Sequence, residues 1–351
     1  MVIEPPDKND LFAQSTSSEA LFKAWETFQK GKRDRRDVQI FWRRLESNIF
    51  RLRRDLLSGF YQHGEYESFF VHDPKPRHIR KAQVKDRIVH QVVYSVLSQI
   101  WEPMLIHDAY SARLGKGTHY GVNRQWAMVC KVSRNFTCPC WALKCDIKKL
   151  YDSIDHAVLL RLIRRRIADK RLLHLIGQIL GSFQSKGQLG KGIPIGNVTS
   201  QVFTNIYLSE LDYFVKQTLR VRWYGRFSDD FVLLSQKRSD LFEWRERLDT
   251  FLQKCLLLEL HPHKVFIRPL HQGIDFLGYV LLPHHRVLRA STRRRMFRRL
   301  TQSSDGVVDG GTSPEVLSQA LASYLGMVSH ADAFNLERIL LNSFSGRRGG
   351  L

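Results

Sequence analysis

The sequence predicts an α+β fold, and three observations carry that reading. Residues 223–235, WYGRFSDDFVLLS, place Trp223, Tyr224 and Phe227 before an acidic pair and Phe231, Val232, Leu233 and Leu234 after it. Both flanks have strand character, and Ser228 with the two aspartates suits the tip between them, so a β-hairpin is expected. Residues 141–146, WALKCD, read as a second, buried strand that ends on Asp146. Between and around these stretches apolar residues recur at helical spacing, as in Phe41, Leu45, Ile49 and Leu52, or Phe203, Ile206, Tyr207 and Leu211.

Two adjacent carboxylates at a turn repel, which raises one of their pKa values unless a cation is present. By itself Ser-Asp-Asp reads as a solvated turn. Asp146, at the end of a strand, supplies a third carboxylate, and divalent ions shared by such acids are the layout of phosphoryl-transfer polymerases. Residues 141–156, WALKCDIKKLYDSIDH, resemble motif A of reverse transcriptases, and Phe227-Ser228-Asp229-Asp230 resembles their motif C, [Y/F]-x-D-D. The resemblance implies a right-hand polymerase: fingers, a palm with an antiparallel sheet plus helices, and a helical thumb. It implies two Mg²⁺ ions held by Asp146, Asp229 and Asp230, with Ile147 beside them. The expected division is 1–125 for N-terminal helices and fingers, 126–282 for the palm with part of the fingers, and 283–351 for the thumb.

Composition agrees with a nucleic-acid partner. The chain has 351 residues and a net charge of +21, and neutralising phosphates with Lys and Arg releases counterions. No lipid motif and no apolar run long enough to span a bilayer is found, so no membrane is expected. The start, MVIEPPDKND, is unlike a signal peptide, so a cytoplasmic location is expected, and the resemblance implies a bacterial, phage or archaeal host. Five cysteines include no two C-x-x-C pairs; reduced thiols are expected, with Cys145 packed in its strand.

In chain order, 18–61 read as helices with basic faces. Residues 68–87 read as a strand, Pro-Lys-Pro-Arg, then a basic strand. In the resembled family such a hairpin covers the incoming triphosphate, which makes Arg77 the first candidate for the dNTP and Arg80 and Lys81 the next. Basic groups suit that place because the leaving pyrophosphate gains charge. Residues 88–101 read as a buried helix. The segment 110–118, YSARLGKGT, resembles the family's second motif, placing Arg113 near template and fingers–palm packing. Tyr151, five residues after Asp146, corresponds to the aromatic that lies under the sugar and excludes a 2′-hydroxyl. Asp152 and Asp155 are expected to order the next helix, over 158–171.

Residues 192–201, GIPIGNVTSQ, are the most specific block. Most reverse transcriptases carry Q-G-x-x-x-S-P here; Ile195-Gly196-Asn197-Val198-Thr199-Ser200-Gln201 replaces both the Gln and the Pro and resembles the enzymes of diversity-generating retroelements. Glycine lets the backbone approach nucleotide and template. Ile195 can only pack where Gln bonds, so discrimination between bases should relax. Helices follow over 201–213 and 240–260. His261-Pro-His-Lys264 matches motif D, whose Lys can protonate pyrophosphate, and Phe276-Leu-Gly278-Tyr279 matches motif E, a hairpin gripping the primer. Residues 284–299 are intensely basic and begin the expected thumb; Arg289 and Arg293, with Arg113, Ser200, Gln201 and Gly278, are the candidates for template and primer. Residues 301–313 read as a loop, 314–341 as helix, and 346–351 as a frayed tail, leaving no room for an RNase H, maturase or endonuclease domain.

The resulting expectation is an RNA-directed DNA polymerase that makes error-prone, adenine-mutagenic cDNA from a template-repeat RNA. By resemblance its partners are template RNA, cDNA or primer, dNTPs and a basic pentameric accessory protein. A group II intron-like or retron-like enzyme, and a catalytically silent RNA-binding scaffold, are the alternatives.

Overall fold

The computed structural model describes residues 10–72 and 76–344; residues 1–9, 73–75, which include the first two residues of Pro-Lys-Pro-Arg, and 345–351, which include the expected tail, lie outside the described residues. Four helices come first: α1 (Leu11–Ser15), α2 (Ser18–Gln29), α3 (Arg36–Trp42) and α4 (Leu45–Leu57). Ser17 caps α2 by accepting from the Ala20 amide at 3.1 Å, and α2 buries Leu21, Ala24, Trp25 and Phe28. The expected stripe on α4 is buried at Ile49 and Leu52, and Arg43, Arg44, Arg51 and Arg54 face solvent. Next, β1 (Glu67–Val71) and β2 (Arg77–Lys81) form an antiparallel two-stranded ribbon pairing Phe70 with His78. The buried helix α5 (Val84–Trp101) follows, then α6 (Thr118–Val132).

The central sheet begins with β3 (Trp141–Asp146). After it come α7 (Leu150–Ser153), α8 (His156–Arg164), α9 (Lys170–Gly181), α10 (Val198–Tyr213), β4 (Tyr224–Phe227), β5 (Asp230–Ser235), α11 (Arg238–Leu256) and β6 (Phe266–Pro269). The strand order is β4-β5-β3-β6, antiparallel throughout. Both faces are covered, and the period of two sorts the side chains. Leu143, Cys145, Phe231 and Leu233 join one hydrophobic core with α5 and α8–α11, whereas Ala142, Val232 and Leu234 join another. That second core continues into a sheet of β7 (Ile274–Phe276), β8 (Tyr279–Leu282) and β9 (His285–Leu288). It extends to α12 (Ala290–Val308), α13 (Pro314–Val328) and α14 (Phe334–Phe344).

Three expectations need correction. The helix expected over 158–171 is two helices, because the Asp169 side chain accepts from the amides of Arg171 and Leu172 at 2.9 and 3.0 Å and restarts the chain as an N-cap. The loop expected over 301–313 is helix up to Val308: Met296, Leu300 and Ser304 continue a four-residue burial spacing that the polar composition hid. The helix expected over 314–341 breaks after Val328, where Asp332 turns back and accepts from the Arg286 amide at 2.8 Å.

Candidate active site

The register of the central sheet brings the acidic residues together. Asp146 at the end of β3 lies opposite Asp230 at the start of β5, and the Ile147 amide donates to the carbonyl of Asp229 at 3.1 Å. Ser228 takes a left-handed φ of 55°, which closes the two-residue turn between β4 and β5. Behind that turn sits Arg226, fully buried. Its Nε and Nη2 donate to the two carboxylate oxygens of Asp212 on α10 at 2.7 and 2.6 Å, and its Nη1 donates to the Ser228 carbonyl at 3.3 Å. The Tyr224 hydroxyl donates to Asp212 at 2.7 Å as well. The sequence reading missed this clamp; its one signal is an arginine in the middle of an apolar strand.

Burial holds the Asp229 carboxyl above the usual range, and Asp146 beside it pushes the same way. Burial pushes Asp230 up to about 6, against the pull of Lys144. The Lys144 ammonium lies 3.2 Å from Asp230 and 3.6 Å from Asp275, and Asp275 also pairs with Arg289. Lys264 Nζ donates to Asp146 Oδ1 at 2.8 Å. Asp146 and Asp230 thus each turn one oxygen to a lysine, and among the described residues no three His, Cys, Asp or Glu side chains are placed to hold an ion as they stand. Asp230 Oδ1 is nevertheless buried without a hydrogen-bond partner. Clustered hard oxygens, one of them unsatisfied, fit Mg²⁺ and not a soft thiophilic metal.

Tyr151, on α7, stands half-buried beside the acids. Burial raises its phenol, Thr204 and Ser228 beside its hydroxyl pull the other way, and the charges of Asp229 and Arg77 act on it. Arg77 is exposed at the start of β2. The segment carrying Ile195 and Gly196 is stitched to β2: the Arg80 amide donates to the Ile195 carbonyl, and Asn197 Nδ2 donates to the Arg80 carbonyl, both at 3.0 Å. Gly196 has φ +112°, and a Cβ there would lie 2.8 Å from Ile79 Cγ2, so glycine is required. Asp155 caps α8, accepting from the Val158 amide at 3.0 Å. Gln201 and Arg293 are exposed. Gly278, at φ +90°, forms the β7–β8 turn, and its carbonyl accepts from the Arg289 amide at 2.9 Å.

Two template candidates are placed otherwise than expected. The Arg113 side chain is 7% exposed and donates to Glu102 at 2.7 Å and to the carbonyls of Ile106 and Ala109 at 2.6 and 3.0 Å, so its guanidinium closes its own loop. Ser200 is buried, with its hydroxyl donating to the Pro194 carbonyl at 2.6 Å.

Among solved structures, a telomerase from Candida tropicalis in complex with a TWJ fragment of telomeric RNA aligns with TM-score 0.51 at 14% identity, over 84% of this chain and 58% of that one. The apo telomerase from the same organism aligns with TM-score 0.50 at 12% identity, over 80% and 60%. This likeness is one of fold, the right-hand polymerase fold. Protein YkfC of Escherichia coli K12 is 25% identical over 71% of this chain and 74% of its own length. The group II intron-encoded protein LtrA of Lactococcus lactis is 23% identical over 75% of this chain, which spans about half, 54%, of LtrA. A family profile described as reverse transcriptase (RNA-dependent DNA polymerase) matches residues 72–281, more than half of the sequence, and the chain belongs to that family.

Proposed function

We propose that the chain copies a template RNA into error-prone cDNA as the polymerase of a diversity-generating retroelement. The observation that carries the polymerase part is the pairing of Asp146 with Asp230 across β3 and β5, with Asp229 on the turn beside them. Asp146, Asp229, Asp230 and Ile147 would hold two Mg²⁺ ions, whose chemistry is to lower the pKa of a primer 3′-hydroxyl and neutralise charge at the α-phosphate. The chain's own groups do the rest. Arg77 and Arg80 steady the triphosphate from β2, and Tyr151 lies against the sugar. Lys264, hydrogen-bonded to Asp146, would supply the proton to departing pyrophosphate. Gly278, Arg289 and Arg293 face the primer strand, and Gln201 faces the template. The domain division, a cytoplasmic location and a basic pentameric accessory partner belong to this same reading.

The diversity-generating assignment rests on Ile195-Gly196-Asn197-Val198-Thr199-Ser200-Gln201. Ile195 offers only packing where a hydrogen-bonding Gln would align the nucleotide, and one such bond, net ~1 kcal/mol, changes selectivity roughly five-fold. A group II intron-type reverse transcriptase is the second reading, favoured by the likeness to LtrA. Sequencing cDNA made on one defined RNA decides between them. Errors concentrated opposite template adenine, altered by Ile195→Gln, are expected; equal and low error at all four bases removes the diversity-generating reading. Loss of all synthesis in Asp229→Asn with RNA binding kept is expected of the polymerase itself, and wild-type synthesis in that variant removes it.

A further inference from the structure

Lys144 and Asp275 have no role in the function proposed above, yet they join the acids to the β7–β9 sheet. Side chains alternate along β3, so Lys144 shares a sheet face with Asp146 and with Ala142, two residues to either side. That face packs on the second core, which includes β7–β9 and α12. In β7 the flanking Ile274 and Phe276 are buried, and Asp275 alternates to a half-buried position.

Four charges then stand in a row of alternating sign: Arg289, Asp275, Lys144 and Asp230. Arg289 Nη2 donates to Asp275 Oδ1. Lys144 Nζ lies 3.6 Å from that same oxygen and 3.2 Å from Asp230 Oδ2. One oxygen of Asp275 therefore serves two cations, and each weakens the other's hold on it. The Lys144 ammonium stands almost midway between two carboxylates, and its side chain is only 14% exposed, so little water competes with either. Each end of the row carries a buried polar atom with no hydrogen-bond partner: Arg289 Nε, a donor, and Asp230 Oδ1, an acceptor. A phosphate oxygen answers the first and a cation the second.

The row has two arrangements of nearly equal geometry. With Arg289 on Asp275, Lys144 is left to Asp230 and competes there with any other cation. With Arg289 drawn away, Asp275 is left to Lys144, and a shift of the ammonium by a fraction of an ångström frees Asp230.

We propose that Lys144 and Asp275 are positioning residues that make the metal affinity of the acids depend on a seated primer: a primer phosphate draws Arg289 off Asp275, Lys144 moves from Asp230 to Asp275, and Asp230 is released to hold Mg²⁺. The proposal rests on reading Arg289 as a primer contact and Asp146, Asp229 and Asp230 as the metal-holding acids. Such coupling is reciprocal, so the duplex binds more tightly when the metal is present.

The test uses Mn²⁺, an oxygen-seeking stand-in for Mg²⁺ whose free concentration is read by electron paramagnetic resonance. The chain is titrated alone and on a dideoxy-terminated DNA primer annealed to template RNA. The sites counted are those missing from Asp229→Asn in the same titration, which removes the Mn²⁺ held by the duplex itself. In the wild type the duplex should strengthen these sites about tenfold, within the usual range of such couplings. Lys144→Met should bind Mn²⁺ as tightly without the duplex as with it. Arg289→Gln should be tight in both states, and Asp275→Asn weak in both. Added to Lys144→Met, neither of these two changes should move the affinity more than about twofold, because both act through Lys144. Lys148→Met removes a cation that is also close to Asp146 but pairs with Glu259, and it should keep the gain. Thermal melting checks that each variant folds, and Lys144→Gln replaces Lys144→Met if that one does not. A duplex gain that survives in the Lys144 variant overturns the proposal. So do effects of Asp275→Asn and Arg289→Gln that persist in full beside the Lys144 change, since simple charge would then account for them. A wild type whose Mn²⁺ affinity ignores the duplex overturns it too. Mn²⁺ binding untouched by Asp229→Asn is a different failure: it removes the reading of the acids as the metal site, and the proposal with it.

Discussion

Two hairpins meet at this site, and they are built in opposite ways. The β4–β5 hairpin is covered on both faces and clamped by a fully buried arginine–aspartate pair that reaches its turn. The β1–β2 ribbon is only partly covered: every residue of β1 is exposed, and in β2 His78 to Lys81 are half-buried. Its supports are a Phe70–His78 stack at 4.4 Å, the Lys81 ion pairs, and the bonds between Arg80 and the Ile195–Asn197 segment. The difference follows from what each presents. On the proposed reading, acids that would share cations need positions fixed to within ~0.5 Å, which a rigid element supplies. Side chains proposed to meet a substrate that arrives and leaves would then sit on an element that bends at little cost.

The largest expected effect breaks the rigid hairpin. Arg226→Met leaves the Asp212 carboxylate buried with Tyr224 as its remaining side-chain partner, and stranding such a charge costs about 3–5 kcal/mol, readable by urea unfolding. Arg226→Met combined with Asp212→Leu removes both charges and should recover most of that stability, since apolar replacement of a whole buried pair is often neutral. Synthesis should stay depressed on the order of 10²-fold, because Ser228 has lost the donor that fixes the turn under Asp229 and Asp230. A double variant that is both stable and fully active would mean that the clamp only holds the fold together.

A smaller effect sits where the ribbon docks. Gly196→Ala puts a methyl group 2.8 Å from Ile79 Cγ2 and forces a side chain into φ +112°, at a cost of roughly 1–2 kcal/mol. The ribbon can retreat and relieve the contact, so steady-state kinetics should show KM for dNTP rising several-fold while the unfolding midpoint barely moves. A large loss of global stability with unchanged KM would place Gly196 among the rigid parts instead.

What the sequence made legible follows the same divide. Asp146, Asp229 and Asp230 stood out because an apolar run ending in an acid is a local pattern, and two such runs needed only to pair. The Arg226–Asp212 clamp was not legible: the partners lie on a strand and a helix, and an arginine among apolar residues reads as solvent-facing until the register turns it inward. Arg113 entered through the resemblance alone, which carried no sign that its guanidinium bonds to Glu102 and to local carbonyls. Lys144 escaped notice because a lysine two residues before an acid carries no signal until Asp275 arrives from another sheet. The break between α8 and α9 was hidden by a basic run that outweighed the capping Asp169.

The smallest expected effect tests the ribbon itself. Phe70 and His78 face each other across β1 and β2 with their rings 10° from parallel, and Phe70 is 59% exposed. Phe70→Ala removes that stack. A cross-strand aromatic pair contributes roughly 0.2–1 kcal/mol. If the ribbon opens by itself, that energy comes out of its local equilibrium, and hydrogen exchange at the β1–β2 amides should quicken by up to about five-fold. Global unfolding should not register the change, because little apolar surface is buried beneath Phe70 to be lost. Exchange at the β3 and β5 amides, which belong to the sheet covered on both faces, should stay as slow as in the wild type. If those central amides quicken together with the ribbon, the two hairpins form one cooperative unit and the contrast between them fails.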